Sequence, residues 1–133
     1  MGAALAEARE AARNGEALDG AVAVFDEAMV ARGHPQVITT GDPTAHAVMV
    51  VVREAARRLG RADLSGLVVF SAVEPCAMCV GALLEADVDG LVYATPDAKR
   101  GATGSVAPSR LSVVSGIMQR EAAELHITAA RRH

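Results

Sequence analysis

The chain is predicted to fold as an α/β sandwich. Short apolar runs of β character alternate with segments of helical periodicity along its whole length. No internal repeat and no linker divides its 133 residues, so a single domain over residues 1–133 is expected. Half of the residues are apolar, yet Phe25, Phe70 and Tyr93 are the only aromatics. The core must therefore be built from Ala, Val and Leu, small side chains that suit helices packed closely on a buried sheet.

Ala3 to Asn14 has helical composition and is stopped by Asn14-Gly15. Ala21 to Phe25 reads as a buried strand and Met29 to Arg32 as its partner, with Asp26-Glu27 at the turn. Gly33 to Gly41 reads as a loop. Asp42-Pro43-Thr44 offers a polar cap followed by Pro, so a helix is expected from there to Leu59, stopped by Gly60. Met49, Val52, Ala56 and Leu59 would form its apolar stripe. Leu67 to Phe70 is a strand, Pro75 opens a helix through about Ala86, and Leu91 to Ala94 is a further strand. Lys99 to Pro108 reads as loop, Leu111 to Val114 as a last strand, and Gln119 to Arg131 as a closing helix.

The formal charge is −3, whereas most affinity for nucleic acid comes from clustered Lys and Arg. Arg53, Arg57, Arg58 and Arg61 are diluted by Glu54 and Asp63 and read as a solvated helix face; Arg131-Arg132 is the other basic signal. With so few aromatics for base stacking, a nucleic-acid partner is disfavoured. The N-terminus lacks the basic-then-apolar pattern of a signal peptide, and the apolar runs are too short to span a bilayer. Both cysteines lie in one C-x-x-C, so a cytoplasmic protein is expected.

Chemistry concentrates in two places, His46-Ala47-Val48 and Pro75-Cys76-Ala77-Met78-Cys79. One His and two Cys can supply the three protein ligands of a zinc site that keeps its fourth position open. Cys76 and Cys79, three apart at a helix start, can turn both sulfurs to one point, where the helix dipole favours thiolate. A redox pair is the alternative for a lone C-x-x-C, but the usual aromatic and Gly-Pro surroundings are missing. His126 and His133 show no ligand spacing. His34 lies in the loop before the metal helix, within reach of a pocket.

The stretch from Gly33 to Ser105 resembles the bacterial tRNA adenosine, guanine and cytosine deaminases of the cytidine deaminase fold. The matching pieces are Gly41 to Ala47, Glu74 to Cys79, Gly81-Ala82-Leu83, Pro96 to Ala102 and Gly104-Ser105, with Gly20-Ala21-Val22 as first strand. The resemblance implies a three-layer α/β/α sandwich with a mixed sheet of about five strands. It implies Zn2+ on His46, Cys76 and Cys79, and a dimer or larger assembly. It implies a pocket for an amino-heterocycle, with His34, Pro35, Ala47 and Glu74 as candidate substrate-binding residues. In the family reaction zinc yields hydroxide near neutral pH, and a Glu two residues after the His moves the protons.

Here that Glu position is Val48. Pro35 stands where many relatives have a base-binding Asn, and Leu18-Asp19 where they usually have Pro and an apolar residue. Asp19 is the candidate substitute acid. Glu74 is expected to orient its loop, because active members carry it as well. Two functions follow: a zinc-dependent deaminase of a nucleobase, nucleoside or related amino-heterocycle with a diverged pocket, or a catalytically silent zinc subunit. The non-catalytic subunit of the eukaryotic tRNA deaminase pair resembles the second arrangement, with Val in place of Glu, and would pair with a Glu-bearing paralogue.

Overall fold

In the computed structural model, which describes residues 1–105 and 111–132 with side chains to Leu125, five strands form one mixed sheet. They are β1 (Ala21–Phe25), β2 (Ala28–Gly33), β3 (Val68–Val73), β4 (Gly90–Thr95) and β5 (Ser112–Ser115), in the order β2-β1-β3-β4-β5. β1 runs antiparallel to β2 and β3, whereas β3, β4 and β5 are parallel. The helices are α1 (Gly2–Arg13), α2 (Val37–Thr40), α3 (Ala47–Leu59), α4 (Ala77–Glu85) and α5 (Gln119–Arg132). His133, and part of the loop expected at Lys99 to Pro108, lie outside the described residues; of His126 only the backbone is described.

Two cores make three layers. On one face, Val48, Val51 and Ala55 of α3 and Val80 and Leu83 of α4 pack on Ala21, Ala23, Val69 and Leu91. On the other, Leu5 and Ala8 of α1 and Ala122 of α5 pack on Ala72 and Ala94. Alternate strand residues serve opposite faces, as the two-residue period of a strand requires. At Gly20 an added Cβ would run into the α1 backbone at Ala4 and Ala8. Only the missing side chain lets α1 lie this close to the sheet.

Three expectations are corrected. The helix expected from Asp42 begins at Ala47, because Asp42 Oδ1 accepts from the Thr44 amide at 2.8 Å and hydroxyl at 2.7 Å and closes a local turn instead. The face that α3 buries is centred on Val48, Val51 and Ala55, with Met49, Val52, Ala56 and Leu59 on its flanks. Ala47 to Val52 is apolar at every position, so periodicity alone cannot choose the face. The loop at Gly33 to Gly41 contains the short α2, whose Ile38 and Thr39 amides donate to the carboxylate of Glu16, 8% exposed. A cap from more than twenty residues upstream leaves no local sequence signal. The β1–β2 turn has positive φ at Asp26 and Glu27 (51° and 64°), the conformation of a two-residue type I′ hairpin without the usual Asn-Gly.

Candidate metal centre and its cavity

His46 and Cys76 are the N-cap residues of α3 and α4, and Cys79 lies in the first turn of α4. Ser, Thr, Asp or Asn usually fill a cap and bond the free helix amides. Neither cap side chain does so here, which leaves the ring and the thiol for another partner. His46 Nδ1 lies 3.5 Å from Cys76 Sγ and 3.5 Å from Cys79 Sγ, and all three donor atoms are within 4.8 Å of one another. Zinc–nitrogen and zinc–sulfur bonds at a tetrahedral angle put N and S about 3.6 Å apart. The donor set therefore fits zinc in both chemistry and spacing. His46 also bonds the Pro43 backbone, which can only accept, so the ring is oriented from behind.

Electrostatics agree with a metal and disagree with a reactive dithiol. Burial, with Cys76 alongside, pushes the Cys79 thiol well above its ordinary value. Burial, with the Arg100 charge nearby, holds His46 below its ordinary value. A free C-x-x-C nucleophile needs the opposite shift. A dication between the sulfurs reverses the thiol shift by taking them as thiolates, and a neutral imidazole is the form that ligates.

The donors open into a cavity of about 590 Å³, within the ~300–1,000 Å³ range of small-molecule sites. Of the residues singled out in the sequence, Asp19, Pro35, Val48 and Glu74 line it together with the three donors. His34 lies elsewhere, with Nδ1 3.7 Å from Glu7 and Nε2 3.5 Å from Asn14 of the α1 region. Ala47 is closed into the core between α3 and the sheet. Val48, 1% exposed, presents only a small apolar patch to the cavity. A larger groove of about 680 Å³ along β2 and α3 contains none of the donors.

Asp19 is the one strongly perturbed carboxyl in the cavity wall. Burial raises it from 3.8 to about 7, against two backbone amides that favour its charged form, and nearby Asp97 adds to the rise. Both amides reach one oxygen: Oδ1 accepts from Gly20 N–H at 2.8 Å and Val73 N–H at 3.2 Å. Oδ2 has no donor among the described residues, so it is the oxygen that can carry a proton.

Glu74 builds the loop that follows β4. It accepts from the Asp97 amide at 3.1 Å, the Thr103 amide at 3.2 Å and the Thr103 hydroxyl at 2.6 Å. Gly101 is required there because a Cβ would meet the Glu74 carboxylate. Glu16, Asp97 and Arg100, to which the sequence assigns no role, also line the cavity. Asp97 and Arg100 sat within a recognised motif, whereas Glu16 gave no signal at all.

Residues 1–95 match the cytidine and deoxycytidylate deaminase zinc-binding region, and the chain belongs to that zinc-binding deaminase family. It is 34% identical over 129 residues to the tRNA-specific adenosine deaminase of Bacillus subtilis, covering 91% of this chain and 80% of that protein. It is 42% identical over 105 residues to the chloroplastic tRNA(adenine(34)) deaminase of Arabidopsis thaliana, covering 79% of this chain but spanning only 8% of that protein. A solved structure from a study of A-to-I editing by tRNA:A34 deaminases superposes with a TM-score of 0.89 at 36% identity, covering 94% of this chain and 96% of that one. The five-stranded mixed sheet with flanking helices is thus the cytidine deaminase-like fold. No helix among the described residues is long and apolar enough to cross a membrane.

Proposed function

We propose that the chain is a zinc-dependent deaminase whose proton carrier has moved from the position of Val48 to Asp19, acting on a nucleobase, nucleoside or related amino-heterocycle. The observation that supports this reading is the Asp19 carboxyl in the wall of the cavity that His46, Cys76 and Cys79 open into. His46, Cys76 and Cys79 would hold the zinc, which when bound would supply a hydroxide nucleophile at neutral pH. The reaction adds water at the amine-bearing ring carbon and expels ammonia. It needs one group to take a proton from water and return it to the leaving amine. A positioned acid/base of this kind is worth ~10²–10⁴-fold in rate, about 3–5 kcal/mol of barrier. Burial pushes the Asp19 carboxyl up to about 7, the range in which one group can both accept and donate a proton near neutral pH. The base in tRNA named for the relatives, adenine, belongs to the expected substrate class.

Val48 supports a second reading, a silent zinc subunit paired with a Glu-bearing paralogue, because it closes the usual acid position with an apolar side chain. Ammonia release from a panel of bases, nucleosides and a tRNA anticodon stem-loop separates the two. The first reading expects release by the chain as it stands. Release only by Val48→Glu would favour the second, and a stable complex with the paralogue would then be sought by co-purification.

A further inference from the structure

The two edges of the sheet are built differently. β2 carries an extra residue, Val30, where its register with β1 shifts between Ala23 and Val24. It also carries Arg32, and Arg53, Arg57 and Arg58 of α3 stand along the groove beside it. A bulge and a row of charge are devices that keep an edge strand from pairing with another chain. β5, at the opposite edge, has neither. Its residues Ser112-Val113-Val114-Ser115 are all exposed and uncharged, and neither core includes any of them. Four of the seven large apolar side chains exposed among the described residues, Val113, Val114, Ile117 and Met118, fall between residues 113 and 118.

The backbone groups that face outward follow from the hydrogen bonds to β4. Ser112 N–H donates to the Asp89 carbonyl at 3.1 Å, and Gly116 N–H to the Tyr93 carbonyl at 3.0 Å. Residues 112, 114 and 116 therefore turn their backbone groups to β4, the parallel neighbour, while Val113 and Ser115 turn theirs outward. No described strand meets them. Unpaired N–H and C=O groups beside bare apolar side chains are a template for a further strand.

We propose that β5 is a self-pairing edge, through which two copies of the chain join antiparallel with Val113 opposite Val113 of the partner subunit. A twofold axis normal to the sheet requires a residue to face its own copy, because bonded and non-bonded pairs alternate along an antiparallel ladder. Centring on Val113 uses the whole strand. Ser112 then meets Val114 of the partner subunit, and Ser115 meets Leu111 of the partner subunit. The twofold sets side chains against their own copies or near neighbours, so a charged strip would repel itself, and this strip carries no charge. The ladder is short, and burial of Ile117 and Met118 has to add to it. The blocked β2 edge closes the assembly at this contact instead of letting it run on as a filament.

The test is sedimentation velocity of the zinc-loaded chain over a concentration series. The expected result is a reversible association whose mass Val113→Lys halves with zinc content unchanged, because that variant sets two ammonium groups face to face. A cysteine pair reads the register without depending on how that variant folds. Mild oxidation is expected to join two copies of Val113→Cys, seen on gels run without reductant. Ser115→Cys, which this register puts about 14 Å from its own copy, is expected to stay unjoined. A chain that is monomeric at every concentration would overturn the proposal. So would an association that Val113→Lys leaves intact, no cross-link at residue 113, or equal cross-linking at 113 and 115, the mark of random collision.

Discussion

At the scale of single residues, the proposed deaminase would carry its acid at Asp19 and not at position 48. Val48 contributes a buried methyl surface to the core beneath the donors, while Asp19 brings a carboxyl in from the end of the loop before β1. The Asp19 carboxyl has a thermodynamic signature. Between its ordinary 3.8 and about 7 in the folded chain, Asp19 binds more protons folded than unfolded. Stability linked to it is therefore fully present below pH ~4 and is lost as pH rises through ~7. The loss is at most about 4 kcal/mol, less to the extent that water reaches the half-buried side chain. Zinc ligation has its own pH dependence of opposite sign, so the comparison is between variants. Asp19→Asn keeps an oxygen for the Gly20 and Val73 amides and removes the ionisation. It is expected to melt higher than the parent at pH 8 and equally at pH 4, as read by scanning calorimetry of the proteins freed of metal with chelator. Cys76 and Cys79 were legible in the sequence because C-x-x-C is a local pattern, and His46, separated from Cys76 by 30 positions, through the family resemblance. The chemical state of Asp19 was not, since it depends on Val73 and Asp97, far away in the chain.

At the scale of elements, the site depends on three structural decisions. α3 and α4 start at metal-donor residues rather than at conventional caps. Glu16 holds α2 against the cavity. Gly20 lets α1 approach the sheet. Glu16→Ala strands two helix amides and a hydroxyl, and is expected to cost ~1–3 kcal/mol in denaturant unfolding. Gly20→Ala forces α1 away from Ala72 and Ala94 and is expected to cost ~1–3 kcal/mol or more. An unchanged midpoint for either would mean that the element it serves is marginal to stability. Every strand and the four long helices could be read from composition and periodicity, and all but β5, whose four residues are exposed, bury apolar side chains. The cap of α3 lies at His46, four residues beyond the expected Asp42. Asp42 satisfies the signal for a cap while using its carboxylate on Thr44. α2 went unread because the group that stabilises it is distant in sequence.

At the scale of the whole molecule, two helix N-termini on one face of a five-stranded sheet converge on a point that a cation can occupy. That point brings together two buried or half-buried thiols and an imidazole, with backbone hydrogen bonds between Cys79 and Met49 and between His46 and Pro43 holding them in place. Metal binding to the folded chain alone must raise its stability. One zinc per chain is expected by elemental analysis. Chelation is expected to lower the melting temperature, whereas Cys79→Ser should lose both the metal and the response to chelator. The family and the fold place this centre in a zinc-binding deaminase domain, and under the proposed function the proton carrier is the point on which the account turns. The direct test is ammonia release from the preferred substrate by Asp19→Asn, with zinc content determined on the same sample. The account predicts a loss of at least about 10²-fold with one zinc per chain retained. Undiminished release from a fully zinc-loaded Asp19→Asn protein would contradict it.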